Sequence, residues 1–329
     1  MKAILQKLFA HQTLSRQEAK ETLITITEGK MNPSQLASFL TVFIMRPITI
    51  DELQGFREAL LALAVHIDLG GIESIDIVGT GGDGKDTFNI STLSCFLVAG
   101  AGYKVTKHGN YGSSSVSGSS NTLERLGYQF TNDIDTLKRQ LDEANICFFH
   151  APKFHPAMKS VAATRKEIGF RTFFNLLGPL VNPCQPTHQL FGTSGLDISR
   201  LYAYVMQETG RRFTIVHALD GYDEVSLTGN ADVRNNEGQR ILSPSHFGQN
   251  QLNPVQLRGG ENQAEAVRIF KDILEEKGTD AQVAAVTSNA GLAIQTLRPE
   301  QSLLDCIAEA KESLESGKAL HILKKIITY

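Results

Sequence analysis

Over the first 67 residues apolar side chains return at helical spacing, as in Leu36, Phe39, Leu40 and Phe43, then Phe56, Leu60, Leu61, Leu63 and Ala64. Each run begins at a helix-start signal. Ser15-Arg16-Gln17-Glu18 and Thr49-Ile50-Asp51-Glu52 fit the capping box, in which hydroxyl and carboxylate satisfy backbone N–H groups reciprocally. Asn32-Pro33 places proline at a first helical position. After Gly70-Gly71, which reads as a hinge, the pattern changes to short β-rich runs between helices. Strands are predicted at Ile75–Val78, Tyr103–Thr106, Ile146–Phe149, Phe213–Ala218 and Glu224–Leu227. Helices are predicted at 90–101, 119–126, 133–144, 196–209, 262–276 and 301–316. The alternation predicts an α/β protein: a small N-terminal all-helical domain (1–69) and a larger α/β domain (70–329), its central, mostly parallel sheet flanked by helices. Helices from about 152–180 are expected to join the helical domain in space.

Composition adds one feature. Of 28 glycines in 329 residues, eleven fall between positions 70 and 118, where glycine permits positive φ and close approach of backbone to a ligand. A formal charge of −3 offers no broad basic face for a nucleic-acid backbone. Four widely spaced cysteines in mostly apolar contexts read as free thiols of a cytoplasmic protein. The amphipathic N-terminus lacks the features of a secretory signal, and no apolar run reaches the roughly 18 residues of a spanning helix.

The strongest local signal is Asp76-Ile77-Val78-Gly79-Thr80-Gly81-Gly82-Asp83-Gly84-Lys85-Asp86-Thr87-Phe88-Asn89-Ile90-Ser91-Thr92. A strand, a glycine loop and a hydroxyl-rich helix start form the local plan of a phosphate site, because N–H groups at the helix start face an anion and glycines let backbone approach it. No Gly-Lys-Ser/Thr closes the loop, and the glycine spacing is not that of dinucleotide folds. A second loop, Lys107-His108-Gly109-Asn110-Tyr111-Gly112-Ser113-Ser114-Ser115-Val116-Ser117-Gly118-Ser119, offers small donors, with Lys107 expected at its entrance. A third, Asp220-Gly221-Tyr222-Asp223-Glu224, follows a strand; its last two carboxylates suit Mg²⁺ that also touches phosphate. Phe148, Phe149, Phe154, Phe170, Phe173 and Phe174 read either as core or as an aromatic pocket rimmed by His155 and Arg165.

These motifs resemble the anthranilate phosphoribosyltransferase family. The resemblance rests on Gly79-Thr80-Gly81-Gly82-Asp83, Asn89-Ile90-Ser91-Thr92, Lys107-His108-Gly109-Asn110, Ser117-Gly118-Ser119, Phe154-His155-Pro156, Arg171-Thr172-Phe173-Phe174-Asn175 and Asp223-Glu224, in family order. It implies transfer of the 5-phosphoribosyl group from phosphoribosyl pyrophosphate to anthranilate, with two Mg²⁺ ions per site, in a homodimer contacting through helical domains. It further implies that Gly79, Gly82, Asp83, Thr87, Asn89, Ile90, Ser91, Thr92, Lys107, His108, Gly109, Asn110, Tyr111, Gly112, Ser113, Ser114, Ser115 and Ser119 bind phosphoribosyl pyrophosphate. Ser91, Asp223 and Glu224 would hold metal. Gly79, Asn110 and Arg165 would contact anthranilate, with His108 and His155 as candidates either for its pocket or for packing. No general base is assigned.

The second loop departs from the family pattern. Tyr111, Gly112, Val116 and Asn121 stand where Arg, Ser, Lys and Asp are usual, so two positive charges are missing. Two alternatives remain at this point. A nucleoside phosphorylase of the same fold has no need of an acidic metal pair, and a non-catalytic nucleic-acid-binding paralogue should be basic.

Overall fold

The computed structural model describes residues 1–112 and 118–329; Ser113, Ser114, Ser115, Val116 and Ser117 lie outside them. The chain divides into two compact units, Met1–Ile67 with Ala151–Gln185, and Asp68–His150 with Pro186–Tyr329. A cut at 69/70 is therefore a division in sequence only, because the stretch 151–185 packs with the N-terminal helices.

The smaller unit begins with α1 (Lys2–Phe9), α2 (Arg16–Thr27), α3 (Pro33–Met45) and α4 (Ile50–Leu63). All three sequence-read caps form: the side chains of Ser15, Asn32 and Thr49 accept from the backbone N–H three residues on, and the residue there answers in kind. Gly55 of α4 is required by close packing, since a Cβ there would sit 2.2 Å from the Arg16 carbonyl oxygen. The core is aromatic. Phe56 stacks on Phe173 at 4.4 Å, while Phe39 and Phe43 meet these rings edge-on.

In the larger unit β1 (Ile75–Gly79), α5 (Ile90–Gly100), β2 (Val105–Gly109), α6 (Ser119–Arg125), α7 (Ile134–Ala144) and β3 (Ile146–His150) come first. The chain then adds α8 (Ala151–Phe154), α9 (Lys159–Ile168) and α10 (Phe174–Leu177) to the smaller unit. It returns as β4 (His188–Gly192), α11 (Leu196–Gln207), β5 (Arg212–Ala218), β6 (Ala231–Asn235) and β7 (Gly238–Leu242). Helices α12 (Gln263–Leu274), α13 (Asp280–Leu297), α14 (Leu303–Glu315) and α15 (Lys318–Ile326) follow. Among the described residues the strands form one seven-stranded sheet in the order β3-β2-β1-β4-β5-β6-β7, parallel from β3 to β5 and antiparallel from β5 to β7.

One expectation is corrected here. The segment Glu224–Leu227 is a loop, because Leu227 takes φ +61° and Asn289 of α13 occupies both hydrogen-bonding groups of Val225, as acceptor at 3.0 Å and donor at 2.9 Å. Of the six clustered phenylalanines, five are buried, as the core reading has it. Phe148 and Phe149 lie in β3 of the larger unit, Phe154, Phe173 and Phe174 are buried in the smaller one, and Phe170 is 74% exposed. Among the described residues no helix is long and apolar enough to cross a membrane.

Candidate active site

The order of the sheet locates the site. Strand β1 has β2 on one side and β4 on the other, so connections leaving the C-terminal ends of β1 and β4 diverge and open a crevice, the usual ligand position in such sheets. Gly79 and Gly192 end these strands and pair directly. Both glycines make room for the third loop: a Cβ on Gly79 would lie 2.5 Å from Asp223 Oδ2, and one on Gly192 would lie 1.7 Å from the Asp223 carbonyl oxygen. Across the crevice Thr80 N donates to the Gly192 carbonyl at 2.9 Å, and Ser194 N donates to Thr80 Oγ1 at 3.2 Å.

The glycine loop wraps the acidic pair. Gly81 N donates to Asp223 Oδ2 at 2.8 Å, and Ser91 N, at the start of α5, donates to Glu224 Oε1 at 3.2 Å. Thr87 Oγ1 donates to Glu224 Oε2 at 3.3 Å, and Asp223 N donates to Asp83 Oδ2 at 3.4 Å. Burial of Glu224, with the charges of Asp223 and Asp83 beside it, pushes its carboxyl well above the usual carboxylate range. The loop's exit is held by Gly259, whose N–H donates to the Asp86 carbonyl at 2.8 Å and whose absent Cβ would lie 2.6 Å from the Thr87 carbonyl oxygen. Asn89 Nδ2 donates to Thr122 Oγ1 of α6 at 2.6 Å, tying the first loop to the second. Ile90 and Thr92 are buried, and the Ile90 backbone is committed, its N–H donating to the Phe88 carbonyl at 2.6 Å and its carbonyl accepting from Ser94 Oγ at 2.8 Å.

The second loop begins later than its sequence suggests. Lys107, His108 and Gly109 belong to β2, and Lys107 is 2% exposed with Nζ donating to the Ile77 carbonyl at 2.6 Å. Its ammonium therefore braces β2 against β1 and does not stand at the loop entrance. His108 is buried, its N–H donating to Asp76 Oδ1 at 3.1 Å. Beyond the strand, Ser119 Oγ donates to the Asn110 carbonyl at 3.3 Å. Gly112 N donates to Asn121 Oδ1 at 3.1 Å, so the amide at 121 closes the loop's neck. Tyr111 packs edge-on to His150 at 4.7 Å, and its hydroxyl donates to Glu124 Oε1 at 2.7 Å. The assigned Ser113, Ser114 and Ser115 lie outside the described residues.

Two assigned residues belong to the smaller unit. His155 is buried, its Nε2 2.9 Å from the Val181 carbonyl, and burial lowers its pKa. Arg165, on α9, lies over the Phe174 ring at 4.9 Å, and burial lowers its pKa as well. Among the described residues no carboxylate pairs with that guanidinium.

Gly192, Asn289 and Thr122 shape the site without a sequence signal of their own; each acts on a residue far away in the chain. Comparison with known proteins agrees with this architecture. Residues 2–64 match the glycosyl transferase family helical bundle domain and residues 72–320 match its a/b domain. The anthranilate phosphoribosyltransferase of Cytophaga hutchinsonii is 55% identical over 99% of this chain and 100% of its own. The crystal structure of the Thermus thermophilus enzyme of that name superposes with a TM-score of 0.92 at 31% identity, covering 98% of each chain. That of the Saccharomyces cerevisiae enzyme, in complex with PRPP and Mg, gives 0.91 at 28%, covering 98% of this chain and 96% of its own. With such identity over its whole length, this chain belongs to the anthranilate phosphoribosyltransferase family.

Proposed function

We propose that the chain transfers the 5-phosphoribosyl group of phosphoribosyl pyrophosphate to the amine of anthranilate, giving N-(5-phosphoribosyl)anthranilate and pyrophosphate. The observation that carries the reading is the glycine loop folded over Asp223 and Glu224 at the β1/β4 crevice. Asp83 and Asp223 lie close enough to Glu224 for their charges to act on it, and the Thr87 hydroxyl and Ser91 N–H contact the Glu224 carboxylate; these are oxygen-bearing side chains of the kind Mg²⁺ prefers, although among the described residues no three carboxylates stand at metal-binding spacing. In this reading Ser91, Asp223 and Glu224 would hold magnesium, two ions per site, the ligand oxygens closing the set when the metal arrives with its pyrophosphate. Bound there, Mg²⁺ supplies the positive charge that offsets what develops on departing pyrophosphate.

The chain's own part is positioning. In this reading Gly82, Asp83, Thr87, Asn89 to Thr92, Asn110 to Ser115 and Ser119 line and orient the phosphoribosyl pyrophosphate. Fixed donors of this kind stabilise leaving-group charge more than ground-state charge, because their reorganisation cost is met on folding. The aromatic amine is already neutral above acidic pH, so no side chain need take a proton before attack. Arg165 presents a guanidinium fork to the anthranilate carboxylate, a bidentate fit that lysine does not reproduce; its burial without a carboxylate partner among the described residues supports that role. Gly79 and Asn110 contact the same substrate.

The assay is loss of anthranilate fluorescence, which should require both phosphoribosyl pyrophosphate and Mg²⁺; loss independent of either would refute the reading. A cytoplasmic homodimer completes it. Exposed Phe9, Ile44 and Met45, the last at 82%, are apolar side chains of the helical unit that a second copy could cover. A single-subunit mass by light scattering would refute the dimer.

A further inference from the structure

The three loops of the larger unit hold more negative than positive charge. Residues 79–92 carry Lys85 against Asp83 and Asp86, residues 107–119 carry Lys107, and residues 220–224 carry Asp220, Asp223 and Glu224. Lys107 spends its ammonium on the Ile77 carbonyl inside the sheet. That leaves Lys85 as the loop cation whose ammonium has neither a carboxylate partner nor a carbonyl acceptor among the described residues.

Its position is built. Lys85 N donates to Asp83 Oδ1 at 3.2 Å, fixing the backbone in a turn after Gly84. The side chain crosses to the third loop, where Nζ lies 4.6 Å from the centroid of the Tyr222 ring. Gly221, at φ +100°, lets it approach: a Cβ there would be 3.3 Å from Lys85 Cε and 3.6 Å from Nζ. Tyr222 immediately precedes Asp223 and Glu224. An ammonium held on an aromatic face keeps its N–H groups available to an anion, while the ring's quadrupole offsets part of its desolvation.

We propose that Lys85 is a substrate-binding residue, its ammonium contacting the pyrophosphate group of phosphoribosyl pyrophosphate from the third-loop side of the cradle. This rests on the function proposed above. A merely structural role, a lysine stem packed on Tyr222 with a solvated head, makes different demands on substitution.

The test compares wild type with Lys85→Gln and Lys85→Arg. Initial rates are measured while each substrate is varied at saturating Mg²⁺, and Mg-pyrophosphate binding is measured by titration calorimetry without anthranilate. Loss of a charge-assisted contact should raise the KM for phosphoribosyl pyrophosphate and the Kd for pyrophosphate in Lys85→Gln by roughly 10- to 100-fold. The KM for anthranilate should stay within twofold, and Lys85→Arg should recover most of the loss. Unchanged pyrophosphate affinity in Lys85→Gln, or equal rises in both KM values, overturns the proposal. Inactive wild type in the fluorescence assay overturns the proposed function instead, so the two failures are distinguishable.

Discussion

Replacing Gly79 by alanine asks whether the place of the Asp223 carboxylate matters for turnover. Gly79 does not lie in the left-handed region, so alanine meets no backbone penalty and the cost is steric. The new Cβ would lie 2.5 Å from Asp223 Oδ2 and 3.2 Å from Cγ, while ordinary contact begins at 3.4 Å, so the oxygen must retreat by about 0.9 Å. The same oxygen accepts from Gly81 N at 2.8 Å, and a retreat of that size along the bond would take the pair beyond hydrogen-bond range. The main chain has little freedom to share the shift, because the Asp223 carbonyl oxygen already fills the space where Gly192 lacks a side chain. Overpacking of this kind costs about 1–3 kcal/mol of stability, which leaves the protein folded. A catalytic group misplaced by about 1 Å typically costs on the order of 100-fold in rate. The expected outcome is therefore a folded Gly79→Ala variant with normal circular dichroism, roughly 100-fold lower kcat, and a higher Mg²⁺ concentration for half-maximal rate. Anthranilate fluorescence followed across a Mg²⁺ series reads both parameters. A variant with more than a third of wild-type kcat and an unchanged Mg²⁺ requirement would show that the place of this carboxylate does not limit the reaction.

Arg165→Ala should raise the KM for anthranilate by about 100-fold while leaving that for phosphoribosyl pyrophosphate within a few-fold, and Arg165→Lys should recover little. Equal effects on both substrates would remove Arg165 from the carboxylate. In the smaller unit Glu52 is fully buried; burial alone would raise its pKa, but Arg46 and the N–H groups of Thr49 and Leu14 outweigh that and hold it below 4.5. A depressed carboxyl stabilises the fold above its unfolded pKa, and the contribution is lost as pH falls through the folded value. Glu52→Gln, which leaves Arg46 without its carboxylate, should cost about 3 kcal/mol at pH 7, and the gap to wild type should narrow as pH falls through the carboxylate range; urea unfolding showing an unchanged gap at acidic pH would refute the linkage.

What was legible in the sequence was what is local. The caps at Ser15, Asn32 and Thr49 involve residues three apart, and all three form. Helix α13 was not legible, because its Ala-Ala-Val-Thr-Ser-Asn-Ala-Gly stretch is nearly all buried, and a helix without a polar face shows no amphipathic period. Strand β4 opens on buried His188 and Gln189, and β6 carries buried Asp232, satisfied by Arg234 and Gln239, so neither reads as an apolar run. Gly100 ends α5, as the sequence suggests, but its packing was not legible: a Cβ there would lie 2.3 Å from Ser313 Oγ. In the site, glycine density marks the first loop unaided. Gly192 and Asn289 act through contacts with Asp223 and Val225, and no local pattern carries a long-range contact.

The charge of the cradle separates this reaction from its two rivals more sharply than the glycines do. A glycine loop at a helix start accepts any phosphate, and a phosphorylase of related fold would use one equally well. Asp83, Asp223 and Glu224 near that loop oppose a bare phosphate, and the burial of Glu224 raises the cost, as its upward shift reflects. The same three carboxyls become favourable once a divalent cation arrives with the ligand, which is how a magnesium-bound pyrophosphate is presented. A nucleic-acid backbone brings no such tightly held divalent ion and requires fixed cations from the protein, yet Lys107 is committed inside the sheet. An acid pair so placed favours a ligand that carries its own metal, and the contact proposed for Lys85, whose ammonium lies over the Tyr222 ring, would add fixed positive charge that the serine loop lacks.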